Sequence, residues 1–248
     1  MYVNDNAYMS MEVMEIKQFR NEWKFCCSES VLAIIENRLK DVLDIDKNGD
    51  LNGKYEIHSL YFDDIKNTCA NENEAGISKR FKYRIRYYGS NIDYMKLERK
   101  EKYNGRCHKD SCTITLPQYE KIISGDAGAL FWETDNPVLK LFCVYCMTKG
   151  FSPKAIVDYE RCAFVEEISN VRITIDRNIS VSGDNDEFLT GNYLRIPIQE
   201  KKRHILEVKF DNILPSHIRH LVTNQEIVQT TLSKYYLGRQ QLQRNEGM

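Results

Sequence analysis

Residues 81–102 read FKYRIRYYGSNIDYMKLERKEK, two runs in which alternate side chains are charged, joined by a short polar link. In an extended strand alternate side chains share a face, so Lys82, Arg84 and Arg86 project one way while Phe81, Tyr83, Ile85 and Tyr87 project the other. The same rule groups Lys96, Glu98, Lys100 and Lys102. A single strand of this kind is an ordinary wet surface. What decides the fold is that the pattern recurs.

It recurs at Arg20, Glu22 and Lys24 in QFRNEWKF and at Tyr159 and Arg161 in IVDYERCAF. It recurs again at Arg172, Thr174 and Asp176 in VRITID, and at Glu207 and Lys209 in ILEVKF. Surface strands vary Thr, Ser, Gln, Asn, Lys and Glu freely. A repeated demand for cations with interleaved carboxylates predicts one shared lining that binds a polyanion and its metal. Such strands keep a stable core if the sheet closes around a polar interior while helices cover its apolar outside.

The chain of 248 residues has 42% hydrophobic and 11% aromatic residues, enough for a proper core in one α+β domain dominated by antiparallel strands. Its net charge of −1 argues against a surface built as a whole to hold nucleic acid, so folding must concentrate the basic residues. No stretch is long and apolar enough to span a bilayer, and MYVNDNAYMSMEVME is not a secretory signal. Eight cysteines without dense spacing suit a cytoplasmic protein with reduced thiols. Residues 1–14 are expected to be a flexible N-terminus, 15–240 the tunnel domain and 241–248 a tail.

Local signals fill in the rest. SESVLAIIENRLKDVL (28–43) has helical spacing and Ser28 to cap it. YEIHSLYFDD (55–64) reads as a strand, NTCANENEAGISK as a polar connection, and GRCHKDSCTITL as a third strand of the charged group. Thr115 and Gln118 form a capping box with Pro117 in the first turn, and Gly125 closes that short helix. A second helix runs from Asn136 to Gly150. Strands at 154–166, 171–177 and 204–210 follow, with a loop over 178–203 and a helical segment from Leu214 onward. Cys143 and Cys146 lie one turn apart on the Asn136–Gly150 helix without a second half-site, so small buried thiols explain them better than zinc. His217 and His220 read as a solvated helix face.

Arg and Lys cannot be stacked inside a barrel without an anion, because repulsion and desolvation both oppose folding. Phosphoryl transfer fits, since it leaves charge on several oxygens and relies on positioning and on cations. Glu98, Asp176 and Glu207 have the chemistry and the facing to hold an oxygen-seeking divalent ion. There is no Walker loop, kinase signature or Rossmann glycine fingerprint.

R-x-E-x-K at 20–24, SLYFDD at 59–64, YRIRYY at 83–88, KLERK at 96–100, VDYER at 157–161, VRITID at 171–176, LEVKF at 206–210 and SKY at 233–235 together resemble the VTC domain. This is the catalytic domain of the vacuolar transporter chaperone polyphosphate polymerases, similar in turn to the triphosphate tunnel metalloenzymes of the CYTH superfamily. The resemblance covers about residues 15–238. It implies a closed antiparallel barrel of about eight strands, with helices outside and a C-terminal helix. It also implies transfer of the γ-phosphate of ATP to a growing inorganic polyphosphate chain, with Mn²⁺ or Mg²⁺.

By position, Lys24, Arg84, Arg86, Lys96, Arg161, Arg172 and Lys234 would grip the triphosphate and product. Arg20, Glu22, Glu98, Lys100 and Lys209 would contact substrate. Glu207 would be the principal metal ligand, with Asp176 beside it. The hydrolase and cyclase branches begin E-x-E-x-K, whereas Arg20 stands first here and cannot bind a metal. A non-catalytic polyphosphate or nucleotide-binding module and a triphosphatase are the alternatives. A nucleic-acid partner is not expected, because Tyr83 and Tyr87 lie opposite Arg84 and Arg86 rather than beside them.

Overall fold

The alternation in 81–102 folds as expected, into two antiparallel strands in which Lys82 pairs with Lys100, Arg84 with Glu98 and Arg86 with Lys96. The computed structural model describes residues 17–47, 49–50, 53–200 and 202–246. The chain opens with β1 (Asn21–Ser28), α1 (Glu29–Lys40), β2 (Asp44–Ile45), β3 (Lys54–Asp63) and α2 (Thr68–Glu74). The hairpin and its partner are β4 (Arg80–Tyr88), β5 (Asn91–Tyr103) and β6 (Arg106–Ile114). Three helices follow, α3 (Leu116–Ile123), α4 (Ala127–Glu133) and α5 (Pro137–Lys149). The second half is β7 (Ser152–Glu166), β8 (Val171–Ser182), β9 (Ile196–Pro197), β10 (Arg203–Phe210), α6 (Ser216–Val222), β11 (Val228–Thr230) and α7 (Lys234–Glu246).

The helix starts obey their local chemistry. The Ser28 hydroxyl accepts from the Val31 amide, Thr115 and Gln118 form the reciprocal capping box, and Asn136 caps α5, which ends at Gly150 in the left-handed region. The polar connection expected at 67–79 instead contains α2. Its first turn is seeded from the preceding strand end, where the Asp63 carboxylate accepts the Cys69 and Ala70 amides and that of Asp64 accepts the Thr68 amide. The loop expected from 178 starts later, since β8 runs on to Ser182. The C-terminal segment is not wholly helical. Val228–Thr230 instead pairs with β1 as β11, and α7 continues through residues 241–246. Residues 1–14 lie outside the described chain.

The antiparallel ladder runs β11-β1-β10-β8-β7-β3-β4-β5-β6, with β2 on β7 and β9 on β8. Among the described residues it does not close into a barrel, contrary to expectation. The sheet curls until its far edges approach, and one pair of backbone hydrogen bonds between Arg20 and Cys107, both 2.8 Å, joins the start of β1 to β6. Among the described residues this pair stands in place of a continuous β1–β6 ladder.

Apolar side chains cover the outside of the curl. Tyr83, Ile85, Leu97 and Ile114 pack under α3, α4 and α5, with Phe142 and Leu130 fully buried. Leu32, Ile35 and Leu39 of α1 pack on Ile173, Ile175, Leu206 and Val208. Burying Leu- and Ile-sized side chains contributes about 1.5–3 kcal/mol each. These two cores hold the strands rigid enough to present charge on the opposite face.

Candidate functional site

The concave face encloses a cavity of about 970 Å³. Fourteen of its lining residues are Arg or Lys, against two carboxylates, Glu22 and Glu207. The strand register explains why they meet. Lys209 is paired with Glu22 and Arg172, and Glu207 with Lys24 and Thr174, so β1, β10 and β8 deliver one charged row across three strands.

At the β1–β10 wall, Lys24 sits 3.5 Å from Glu22 and 3.6 Å from Glu207, and Lys209 is 2.7 Å from Glu207. Lys100 reaches across from β5 to Glu22 at 2.5 Å, which shows that the curled sheet brings its two ends face to face. Burial disfavours the charge on Glu22 and Glu207 repels it, yet Lys100, Lys24 and Lys209 prevail and lower its pKa to about 2. Burial also opposes ionisation of Glu207, and Lys209, Lys24, Lys100 and Lys234 pull its pKa well below the carboxylate range. Burial lowers the pKa of Lys209, outweighing its attraction to Glu207 and Glu22.

On the opposite wall the guanidinium of Arg84 donates to the Tyr61 hydroxyl at 2.9 Å and to Glu98 at 2.7 and 2.6 Å. Arg86 donates to Ser59 Oγ at 3.1 Å and to the Tyr159 hydroxyl at 2.6 Å. Burial resists ionisation of Tyr61, but Arg84, Arg86 and Lys234 lower its pKa. Glu98 does not line the cavity. It lies fully buried behind it, accepting also from Lys109 at 2.8 Å, and so aims cations.

Asp176, expected as a metal ligand, is likewise behind the wall. Its two oxygens accept from Arg161 at 2.6 and 2.8 Å, and Lys234 is 2.6 Å away, with no surface exposed. Both oxygens are committed, and Asp176 aims Arg161 and Lys234 much as Glu98 aims Arg84. Arg172 lines the cavity, donates to the Tyr55 hydroxyl at 3.1 Å and pairs with Asp46. Arg20 lines the rim and is held by Asp211 at 2.7 Å. Lys96 is the exception among the expected grips, since it does not line the cavity and lies 5.2 Å from the Tyr94 ring.

Sequence reasoning passed over several lining residues. Lys82 and Lys102 stood on the charged faces, and Lys109 alternates with Cys107 on β6, so each was within reach of the same rule. Asn73 of α2 and Ser233 could not be found that way. They arrive from helix ends, and Ser233 comes in with Thr231 and Leu232 on the segment that leads into α7. That segment is anchored by Tyr235, whose hydroxyl donates to Asp63 at 2.8 Å and whose ring stacks on Tyr61 at 5.0 Å.

A divalent ion needs oxygen donors, and Glu22 and Glu207, both ionised and sharing Lys24 between them, are the carboxylates at the cavity. Among the described residues there is no group of three or more His, Cys, Asp or Glu able to hold a metal. Oxygen donors are the kind a hard divalent ion takes, and here both carboxylates are engaged by lysines, Glu22 by Lys24 and Lys100 and Glu207 by Lys24 and Lys209. Elsewhere, Cys143 is buried with its thiol pushed up to about 11, and Cys146 to about 12, both held protonated by burial. His217 and His220 are exposed.

The family model for the VTC domain matches residues 19–243. No curated protein matches. Among solved structures the chain is similar to the PH1819 protein from Pyrococcus horikoshii OT3, at 12% identity and a TM-score of 0.44, over 92% of this chain and 99% of that one. It is similar at 9% identity and a TM-score of 0.43 to a putative adenylate cyclase from Bacillus halodurans, over 83% of this chain and 86% of that one. The inorganic triphosphatase NE1496 matches at 11% identity and a TM-score of 0.29, over 88% and 97%.

Proposed function

The chain belongs to the VTC domain family, whose model spans residues 19–243, and on that premise we propose that it is a polyphosphate polymerase. A terminal phosphate oxygen of the growing chain attacks the γ-phosphorus of ATP, the bond to the bridging oxygen breaks, and ADP leaves with the electron pair. The observation that carries this reading is the cavity itself, with fourteen cations against two carboxylates. Such an excess suits a ligand whose charge repeats along its length.

Lys24, Arg84, Arg86, Arg161, Arg172 and Lys234 bind the phosphates and stabilise the charge that spreads over the equatorial oxygens during transfer. Glu98 and Asp176 hold four of those six cations in place, since Arg84 and Arg86 lie against the first and Arg161 and Lys234 against the second. Lys100, Lys209 and Arg20 extend the binding surface along the anion. Glu207, with Glu22, would hold a Mn²⁺ or Mg²⁺ ion, which when bound neutralises phosphate charge. Arg20 in the first position of the R-x-E-x-K run removes a carboxylate that a second ion would need. That absence favours polymer synthesis over two-metal hydrolysis.

The test is to incubate purified protein with ATP and Mn²⁺ and to measure ADP and acid-labile polymer together. Both should form in step, and Glu207→Gln should abolish both while the protein still unfolds in a cooperative thermal transition. Tripolyphosphate binding that survives chelation, with no ADP made, would replace the enzyme by a binding module.

A further inference from the structure

The alternation that carries Tyr83 and Tyr87 outward carries Tyr88 inward, onto the face of β4 that holds Arg84 and Arg86, and there it lines the cavity together with Tyr55 of β3. The other aromatic rings of the lining, Trp23, Tyr61, Phe81 and Tyr159, are already covered by cations. Arg219 lies 5.5 Å from the Trp23 ring, Arg84 5.7 Å from Tyr61, Arg99 5.0 Å from Phe81 and Lys234 4.7 Å from Tyr159. Tyr55 and Tyr88 are engaged differently. Among the described residues no such cation stands over either ring, and the two meet each other 5.9 Å apart at 58°. Both are partly exposed.

The pair lies at the end of a row of phosphate grips. Tyr88 follows Arg86 by two residues on one strand face, Tyr55 is the register partner of Arg161, and the Tyr55 hydroxyl accepts from Arg172 at 3.1 Å, which fixes that ring. At the other end of β4, Arg80 lines the cavity and pairs across the ladder with Lys102. Arg80 and Tyr88 open and close the strand, about 26 Å apart along an extended backbone. One end of the lining thus presents cations, and the other presents uncovered aromatic rings beside guanidinium groups. A nucleoside triphosphate has the matching polarity, with a flat base at one end and anionic oxygens along the other.

We infer that Tyr55 and Tyr88 form the subsite for the nucleobase of the phosphate donor, holding it by stacking while Arg86, Arg161 and Arg172 take the phosphates next to it. The rings are too close and too inclined to sandwich a base, so the base lies against the pair. This placement gives the bound nucleotide a direction. Its γ-phosphate lies on the Arg84 side of Arg86, and the chain that receives it leaves past Arg80 and Lys102. The inference rests on the phosphate-transfer reading above.

Calorimetric titration of the full chain with Mn²⁺ and either the β,γ-imido analogue of ATP or tripolyphosphate separates base from phosphate. Tyr88→Leu removes the ring and keeps an apolar side chain. It should weaken binding of the ATP analogue about tenfold or more, the scale of one lost base stack, and leave tripolyphosphate within about twofold of wild type. Tyr88→Phe keeps the ring and should bind both ligands as wild type does. Equal weakening of both ligands by Tyr88→Leu, or weakening of neither, would overturn the assignment. A comparison on wild type alone holds even if the variants do not fold: the ATP analogue should bind about tenfold more tightly than ribose 5-triphosphate, which lacks the base, and equal affinity would overturn the assignment as well. Failure of wild type to bind tripolyphosphate would bring down the phosphate reading and this inference together, whereas tripolyphosphate binding with no preference for the base would remove this inference alone.

Discussion

Glu98→Gln isolates the difference between a carboxylate that holds a metal and one that holds cations. The side chain is fully buried and receives two guanidinium donors from Arg84 and one ammonium from Lys109, with Arg86 at 3.9 Å. The glutamine keeps one acceptor for Arg84 but turns an amide toward Lys109, and it removes the one carboxylate that, among the described residues, pairs with Arg84. Lys109 is half exposed, so its share is screened and small. Arg84 is mostly enclosed, and stranding a buried charge costs about 3–5 kcal/mol. With a urea slope of about 3 kcal/mol/M, the midpoint of unfolding should fall by about 1 M or more. Saturating tripolyphosphate should restore part of the loss, because the anion takes over the compensation of Arg84. A variant within about 0.5 kcal/mol of wild type would refute the structural role, and an unchanged deficit with ligand would refute the electrostatic account of it.

Other outcomes follow from the same geometry. The Glu22 pKa is depressed from an ordinary 4.5 to about 2, so its stabilisation is fully present above 4.5 and is lost as pH falls toward 2. Urea midpoints across that window should converge for wild type and Glu22→Gln, and a constant gap would contradict the ion-pair account. Tyr235→Phe strips a donor from buried Asp63 and should cost about 1–3 kcal/mol by chemical denaturation. It should also lower kcat more than it raises KM, because Lys234 loses its anchor; unchanged kinetics would separate the two. Tripolyphosphate at about a hundredfold over its Kd should add about 2.7 kcal/mol, a rise of roughly 5–10 °C in Tm that shrinks with salt. No thermal shift at low ionic strength would deny that the cavity binds phosphate chains.

Much of the sheet was legible because alternation is a local signal. Charge on one face and apolar residues on the other located β1, β4, β5, β7, β8 and β10, and the faces assigned to Arg84, Arg86, Arg161 and Lys209 are those that meet in the cavity. What alternation cannot tell is depth. Glu98 and Asp176 share their strand faces with cavity cations, yet side chains from the same row fold over them and leave them behind the wall. Closure was over-read for a related reason. Whether two sheet edges meet in a full ladder depends on strand length and twist, and here the meeting shrinks to the Arg20–Cys107 pair. Strand β11 and helix α2 were missed because their stability comes from outside themselves, in the register with Lys24 and in the Asp63 carboxylate. Ser233 and Asn73 enter the cavity only through those tertiary contacts.

The central claim is tested most directly by following the γ-phosphate of ATP. With γ-labelled ATP, Mn²⁺ and wild-type protein, the label should appear in acid-labile polymer in step with ADP, with little orthophosphate. Label recovered almost wholly as orthophosphate, in a reaction that Glu207→Gln abolishes, would make the cavity a hydrolase and contradict the account.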